Sequence, residues 1–179
     1  MNDGGWITRT SRTLFESRWL RLRQDEVTLP DGGDITYTWV EHAGYVVVVP
    51  ILDDDRVVME RVYRHAVKRA LLECPSGGLD GEDPITAGRR ELEEETGYRA
   101  ASWRHVGAFY GSAGISNERF DVVVARGLRE DGQIRREATE QIELERIPLA
   151  LLHASALRGE IEDGPSALAI LLVVGRGAQ

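Results

Sequence analysis

The feature that most restricts the fold is the apolar run YVVVVPIL at residues 45–52. Four consecutive valines favour an extended backbone, because branching at Cβ restricts their rotamers in a helix. A strand without alternating polar positions is typical of one covered on both faces. The run is also far shorter than the ~20 residues that a membrane span requires. We therefore expect a central strand with other elements packed on both sides, and no membrane partner.

Size and charge narrow the class of protein further. A chain of 179 residues with 42% hydrophobic content can bury one substantial core. Its net charge of -8 disfavours binding to a nucleic-acid backbone. The single cysteine, Cys74, cannot form an intramolecular disulfide, and the N-terminus lacks the pattern of a secretion signal. We expect a soluble, cytoplasmic protein with no nucleic-acid partner.

The order of elements along the chain predicts an α+β fold, because strands occur in runs with few helices between them. The first two strands would form a hairpin through the turn at 30–33, and such a hairpin is stable only when packed on the main body or on another subunit. We divide the chain into a hairpin region, 1–42, and a main domain, 43–179. Strands are predicted at 19–28, 35–40, 45–52, 56–63, 70–74, 103–110, 120–125 and 142–147, and helices at 85–96, 149–157 and 165–174.

The helix predicted at 85–96 concentrates acidic residues on one side. Glu91, Glu94 and Glu95 have the spacing i, i+3, i+4, which makes them neighbours on one face. Carboxylates crowded near a helix C-terminus repel one another and the negative end of the helix dipole, so the arrangement is unfavourable unless cations occupy it. Oxygen ligands of this kind suit Mg²⁺ or Mn²⁺. Taken alone, a glutamate-rich helix of this kind is more often a solvated acidic face.

The residues around this helix match a longer pattern. Glu82 is separated by seven residues from the sequence RELEEETGY at 90–98. This segment resembles the signature of the Nudix hydrolases, Gly, five residues, Glu, seven residues, Arg-Glu-aliphatic-x-Glu-Glu-x-Gly-aliphatic. The match is complete from Glu82 onward except for Tyr98 at the final position. The first glycine of the signature falls on Ser76, unless Gly77 takes its place and the loop is one residue shorter.

Weaker similarity over most of the chain points to the ADP-ribose and sugar-nucleotide pyrophosphatase branch of that family. It implies an α/β/α sandwich with a mixed sheet, an N-terminal hairpin exchanged in a homodimer, and Mg²⁺-dependent cleavage of ADP-ribose to AMP and ribose 5-phosphate. Ala113 departs from the branch, which typically has proline there, and this weakens the substrate assignment more than the reaction class. The similar segments are 29–32, 61–64, 73–77, 112–114 and 140–143.

The resemblance also implies a metal site. Glu91 and Glu95 would be the main Mg²⁺ ligands, with Mn²⁺ able to substitute. Glu94 would assist in binding and catalysis, and the backbone carbonyl of Ser76 would complete the ligand set. Supporting this site, Glu82 and Arg90 would form an orienting ion pair.

Further roles follow for residues outside the helix. Glu140, on a charged loop at 131–141 that we expect to be mobile, would be the general base, with Glu137 and Glu143 as alternatives. Arg64 would bind phosphate, since a guanidinium matches phosphate oxygens in pairs. The remaining two candidates are Glu118, which would bind ribose hydroxyls, and Trp19, which would stack on a nucleobase or simply pack on the sheet.

Other functions remain open at this point. The substrate alternatives are dinucleoside polyphosphates, NADH, coenzyme A, GDP-mannose and other nucleoside diphosphate sugars. A Nudix-fold module that senses a nucleotide without hydrolysing it belongs to a different class, as does an unrelated acidic interaction domain. Loss of a glutamate from the signature would favour the sensing module, and every glutamate of the signature is present.

Overall fold

The computed structural model describes residues 4–136 and 141–175. The chain divides into two compact units. Unit 1 is formed by residues 1–43 and 110–119, and unit 2 by residues 44–109 and 120–179. None of the helices in the described ranges has the length and apolar character needed to cross a membrane.

Unit 1 contains an antiparallel sheet of three strands in the order β1 (Ile7–Glu16), β2 (Arg21–Thr28) and β3 (Asp34–Glu41). The predicted hairpin is present as β2 and β3. Strand β1 was not expected from the sequence, and all of its residues are exposed to solvent. A strand with neither face buried needs no alternation of apolar and polar residues. The sequence of β1 therefore lacks the two-residue hydrophobic period by which a strand is predicted.

Unit 2 is built on a mixed sheet with β4 (Tyr45–Ile51) at its centre. The other strands are β5 (Arg56–Arg64), β6 (Arg69–Glu73), β7 (Ser76–Gly78), β8 (Arg99–Tyr110), β9 (Arg119–Arg129) and β10 (Ile142–Pro148), and the helices are α1 (Pro84–Thr96), α2 (Leu149–Leu157) and α3 (Gly164–Gly175). Strand β4 runs parallel to β9 and antiparallel to β5, and the main path of the sheet is β10-β5-β4-β9-β8. Two short strands lie off that path, β6 on β5 and β7 on β4.

The core lies on both sides of β4. Its even-numbered valines pack in a cluster with Leu92 of α1, and its odd-numbered valines in a second cluster with Leu152 of α2 and Ile170 of α3. All four valines are at most 1% exposed, so the strand is covered on both faces. The expected α+β fold with a mixed sheet and a doubly covered central strand is therefore confirmed.

Helix α1 begins and ends at residues whose chemistry fixes its limits. The Asp83 side chain accepts hydrogen bonds from the backbone N–H groups of Ile85 and Thr86, which have no partner within the helix. At the other end, Gly97 has φ 73° and donates its N–H to the carbonyl of Glu93. Glycine adopts this left-handed conformation without a steric penalty, so the helix stops there.

Candidate active site

The Glu91 side chain lies directly against β7. A Cβ atom built on Gly77 would be 2.0 Å from Cδ of Glu91, which is an impossible contact. Gly77 does not have the positive φ that favours glycine, so close approach is the reason that no side chain fits. Gly77, and not Ser76, is thus the residue whose missing side chain makes room for the carboxylate. The Glu91 side chain is only 12% exposed.

Glu95 also contacts β7, at Ser76, the residue before Gly77. Its carboxylate accepts a hydrogen bond from the backbone N–H of Ser76 at 3.0 Å, and the residue is 7% exposed. Glu95 is therefore bonded to the N–H of Ser76, the residue whose backbone carbonyl was expected to bind the metal. Glu94 is more open, with 30% of its side chain exposed.

Arg90 holds the loop before α1 to the helix. Its guanidinium lies 3.1 Å from a carboxylate oxygen of Glu82 and 2.5 Å from one of Glu91, and it donates to the carbonyl of Gly78 at 2.8 Å. Burial opposes its charge, but Glu91 and Glu82 outweigh burial, so the pKa of Arg90 is raised. Arg90 thus stays charged and keeps Glu82 and Glu91 in fixed positions.

Glu93, although in the same acidic run, faces a different environment. Arg99 donates two hydrogen bonds to its carboxylate, at 2.9 and 2.7 Å. These bonds, with a further one from the backbone N–H of Gln133, lower the pKa of Glu93 to about 2. Its charge is satisfied by Arg99 and not by the groups around β7.

The oxygen atoms of these groups are of the type that could hold a hard divalent cation. A buried carboxylate is costly unless it is paired or bound to a metal. Carboxylate and backbone carbonyl oxygens are the donors that Mg²⁺ and Mn²⁺ prefer. In residues 4–136 and 141–175, no three His, Cys, Asp or Glu side chains are gathered as a metal cluster. Glu91 is instead held by Arg90 and Glu95 by Ser76.

Arg64 is oriented by a residue that the sequence reasoning missed. Glu73 on β6 accepts hydrogen bonds from its Nε at 2.9 Å and from its Nη2 at 2.6 Å. The Glu73 side chain is 6% exposed, whereas that of Arg64 is 48% exposed. The hydrogen bond to Glu73, followed by charge interactions that include Glu95, raises the pKa of Arg64. Arg64 therefore presents an oriented positive charge that interacts with the negative charge of Glu95 on α1.

Two predicted site residues belong to unit 1. Trp19 precedes β2 instead of lying within it, is 62% exposed, and has the guanidinium of Arg18 at 3.9 Å from its ring centre. Glu118 follows the 112–117 loop, and its backbone N–H donates to Oγ of Ser116 at 2.9 Å. Trp19 is thus mostly exposed, with Arg18 stacked over its ring.

Unit 1 also holds a cavity of about 350 Å³ that no sequence pattern indicated. Three aromatic rings line it, and Trp39 donates its indole N–H to Asp25 at 2.8 Å. Ala113 is also part of its wall, so the position that departs from the pyrophosphatase branch faces this cavity. The lining residues include Trp6, Asp25, Tyr37, Trp39, Ala113 and Asn117.

The candidate bases are only partly described. Glu140 and Glu137 lie outside the described residues. Glu143 lies on β10, opposite Arg61 of β5 in the sheet register. The start of the loop that we expected to be mobile, residues 132–136, is hydrogen-bonded to the end of α1.

Comparison with known proteins covers nearly the whole chain. Residues 41–166 match a family model described as the NUDIX domain, and residues 6–40 match one described as the nucleoside diphosphate sugar hydrolase N-terminal domain. An ADP-ribose pyrophosphatase of Mycobacterium tuberculosis is 36% identical over 97% of this chain and 85% of its own length.

Two further likenesses were found. A CMP-5'-(N-acetyl-N-hydroxy-3-aminopropyl)phosphonate hydrolase of Streptomyces rubellomurinus is 31% identical over 96% of this chain and 84% of its own. A crystal structure of an ADP compounds hydrolase has a TM-score of 0.83 and 23% identity, covering 97% of each chain. At this level of sequence identity, the similarity to the ADP compounds hydrolase shows a shared fold.

Proposed function

The chain belongs to the Nudix family, and on that premise we propose that it is a Mg²⁺-dependent pyrophosphatase that converts ADP-ribose to AMP and ribose 5-phosphate. The observation that carries the proposal is the pair of largely buried carboxylates, Glu91 and Glu95, held against the peptide groups of β7. A relative from Mycobacterium tuberculosis that matches along 97% of the chain is named an ADP-ribose pyrophosphatase.

The reaction adds water across a P–O–P bridge. The oxygen of water bonds to one phosphorus, the bond from that phosphorus to the bridging oxygen breaks, and the leaving phosphate retains that oxygen. When bound, Mg²⁺ would neutralise phosphate charge and would lower the pKa of the attacking water. Glu91 and Glu95, with Glu94 and the carbonyl of Ser76, would hold the ion.

The remaining groups bind substrate and move the proton. Arg64 is oriented by Glu73 and presents its guanidinium to a phosphate of the substrate. The planar guanidinium donates hydrogen bonds to the phosphate oxygens. Glu140 accepts the proton of the attacking water as general base. In unit 1, Glu118 binds ribose hydroxyls and the exposed ring of Trp19 stacks on the nucleobase.

Glu140→Gln tests the base directly. We expect kcat to fall by about 100-fold or more, because a positioned general base contributes roughly that much, while Mn²⁺ binding measured by electron paramagnetic resonance stays unchanged. Glu137→Gln, in the same segment, is the matched control and should lose less than about threefold. A larger loss in Glu137→Gln or Glu143→Gln would assign the base to that residue.

We propose further that the active form is a homodimer with exchanged N-terminal hairpins. Strand β1 is an edge of its sheet, is exposed along its whole length, and carries the exposed apolar residues Ile7, Leu14 and Phe15. Edges of this kind readily pair with another chain. Sedimentation equilibrium should give twice the mass of the chain, and a monomer at micromolar concentration would contradict the proposal.

The substrate is tested with a panel at one Mg²⁺ concentration. We expect kcat/KM to be highest for ADP-ribose, with ADP-glucose and GDP-mannose within about one to two powers of ten. The reason is Ala113, which lines the unit 1 cavity with a freer backbone than the proline of the branch. A preference above about a thousandfold would show that Ala113 costs no selectivity.

The panel also separates the alternative substrates. The cytidine nucleotide hydrolase of Streptomyces rubellomurinus is a reason to include CDP-linked compounds, and diadenosine polyphosphates complete the set. A highest kcat/KM for a CDP-linked compound would assign the chain to cytidine substrates. If no compound with a diphosphate bridge is cleaved, the pyrophosphatase proposal fails.

A further inference from the structure

Residues 132–136 form a clasp over the C-terminal end of α1. The backbone N–H of Gly132 donates to the carbonyl of Gly97 at 3.0 Å, and that of Arg135 donates to the carbonyl of Glu94 at 2.8 Å. Nε of Arg136 donates to the carbonyl of Glu95 at 2.8 Å. Three carbonyls at the end of the helix are thus satisfied by one segment.

The end of α1 needs such a partner for an electrostatic reason. The last carbonyls of a helix have no partner within it and form the negative end of its dipole. A basic residue in the last turn is the usual remedy, but the last turn of α1 contains none and carries Glu93, Glu94 and Glu95 instead. Arg136 supplies the positive charge from a different segment of the chain.

Arg136 makes a second contact that reaches the sheet. Its Nη1 donates to the carbonyl of Ile142 at 3.0 Å, at the first residue of β10. Strand β10 pairs with β5, where Ile142 lies opposite Val62, two residues from Arg64. One guanidinium therefore connects the helix turn that carries Glu95 to β10, the strand that pairs with the Arg64-bearing strand β5.

Glu95 is consequently held at both ends. Its backbone carbonyl is fixed by Arg136 and its carboxylate by the N–H of Ser76. A helix end held only by its own hydrogen bonds frays, and fraying here would displace the carboxylates of Glu94 and Glu95. Displacement of a positioned group by about 1 Å can cost about 100-fold in rate.

We propose that Arg136 is a positioning residue, which sets the last turn of α1 and hence the placement of Glu94 and Glu95 relative to β7 and β5. The proposal rests on the proposed function for its catalytic consequence. Arg136 itself is not assigned any contact with substrate, because the two hydrogen bonds that it donates to described residues go to backbone carbonyls.

Arg136→Met removes both hydrogen bonds while keeping most of the side-chain length. We expect kcat for ADP-ribose to fall about 30-fold, KM for ADP-ribose to change less than about threefold, and the Kd for Mn²⁺ to rise about tenfold by electron paramagnetic resonance. Arg136→Lys should recover part of each loss, because an ammonium keeps the charge but not the planar fork that reaches two carbonyls.

The matched control is Arg135→Met, which removes the same charge one residue earlier and retains the backbone N–H bonded to Glu94. It should stay within about twofold of the wild type in all three quantities. Equal losses in Arg135→Met would attribute the effect to net charge and overturn the proposal. So would wild-type kcat and Mn²⁺ affinity in Arg136→Met.

The outcome is separable from that of the proposed function. Mn²⁺ titration requires no substrate, so the positioning role is decided even if no diphosphate compound is cleaved. Thermal unfolding checks that each variant is folded, and if Arg136→Met does not fold, Arg136→Lys decides. A folded Arg136→Lys with wild-type Mn²⁺ affinity, and with wild-type kcat where a substrate is found, would then count against the proposal, whereas a partial loss would support it.

Discussion

We expect Glu95→Gln to lower kcat at least about 100-fold, which corresponds to roughly 2.7 kcal/mol of transition-state stabilisation. The amide keeps the volume of the side chain, and its oxygen can still accept the hydrogen bond from the N–H of Ser76. The fold should therefore persist while the charge that holds Mg²⁺ is lost. Metal stabilisation is worth several kcal/mol, so this is among the largest single effects available in the site.

The measurement is kcat at saturating ADP-ribose, with thermal unfolding recorded with and without Mg²⁺. Wild-type protein should be stabilised by Mg²⁺, since a ligand that binds only the folded state raises its stability, and Glu95→Gln should not be. Glu93→Gln is the matched control, because Glu93 is paired with Arg99 and not with the groups around β7. Retention of kcat within threefold in Glu95→Gln would refute the metal assignment.

We expect Gly77→Ala to lower kcat by a similar factor, about 100-fold, without any change of a charged residue. The added methyl group would lie 2.0 to 2.3 Å from three atoms of the Glu91 carboxylate, so Glu91 must leave its place against β7. Displacement of a ligand by an ångström or more removes most of its contribution. The Kd for Mn²⁺ should rise in parallel.

Gly78→Ala provides the comparison at the neighbouring position of the same strand. Its Cβ would approach Oδ1 of Asp80 at 3.2 Å, and the Asp80 side chain, 74% exposed and 3.4 Å from Arg90, can shift by a few tenths of an ångström. We expect kcat within about threefold of the wild type. Equal kcat values for Gly77→Ala and Gly78→Ala would mean that catalysis does not depend on the position of the Glu91 carboxylate against Gly77.

The central strand and α1 could be predicted because local chemistry specifies them. The valines of β4 allow an extended conformation buried on both faces, and Asp83 and Gly97 define the two ends of α1. The fixed spacing of Glu91, Glu94 and Glu95 places them on one face of any helix. These features require no knowledge of which strands are neighbours.

The features that sequence reasoning missed depend on contacts between distant segments. Strand β7 has only three residues, two of them glycine, and exists because β4 offers it a partner. The bond between Arg64 and Glu73 requires the pairing of β5 with β6, and the clasp at 132–136 requires the path of the chain after β9. No periodicity or local propensity encodes such proximities.

The parallel pairing of β4 with β9 has a consequence for folding during synthesis on the ribosome. Tyr45 lies opposite Phe120, so the two strands are 75 residues apart in the chain. At ribosomal rates of 5 to 20 residues per second, β4 leaves the ribosome roughly 4 to 15 s before the strand that it pairs with in parallel. During that interval a valine-rich segment lacks this partner and is a target for aggregation or chaperone capture. The strand at the centre of the folded core is thus a segment that is exposed to aggregation while the chain is being synthesised.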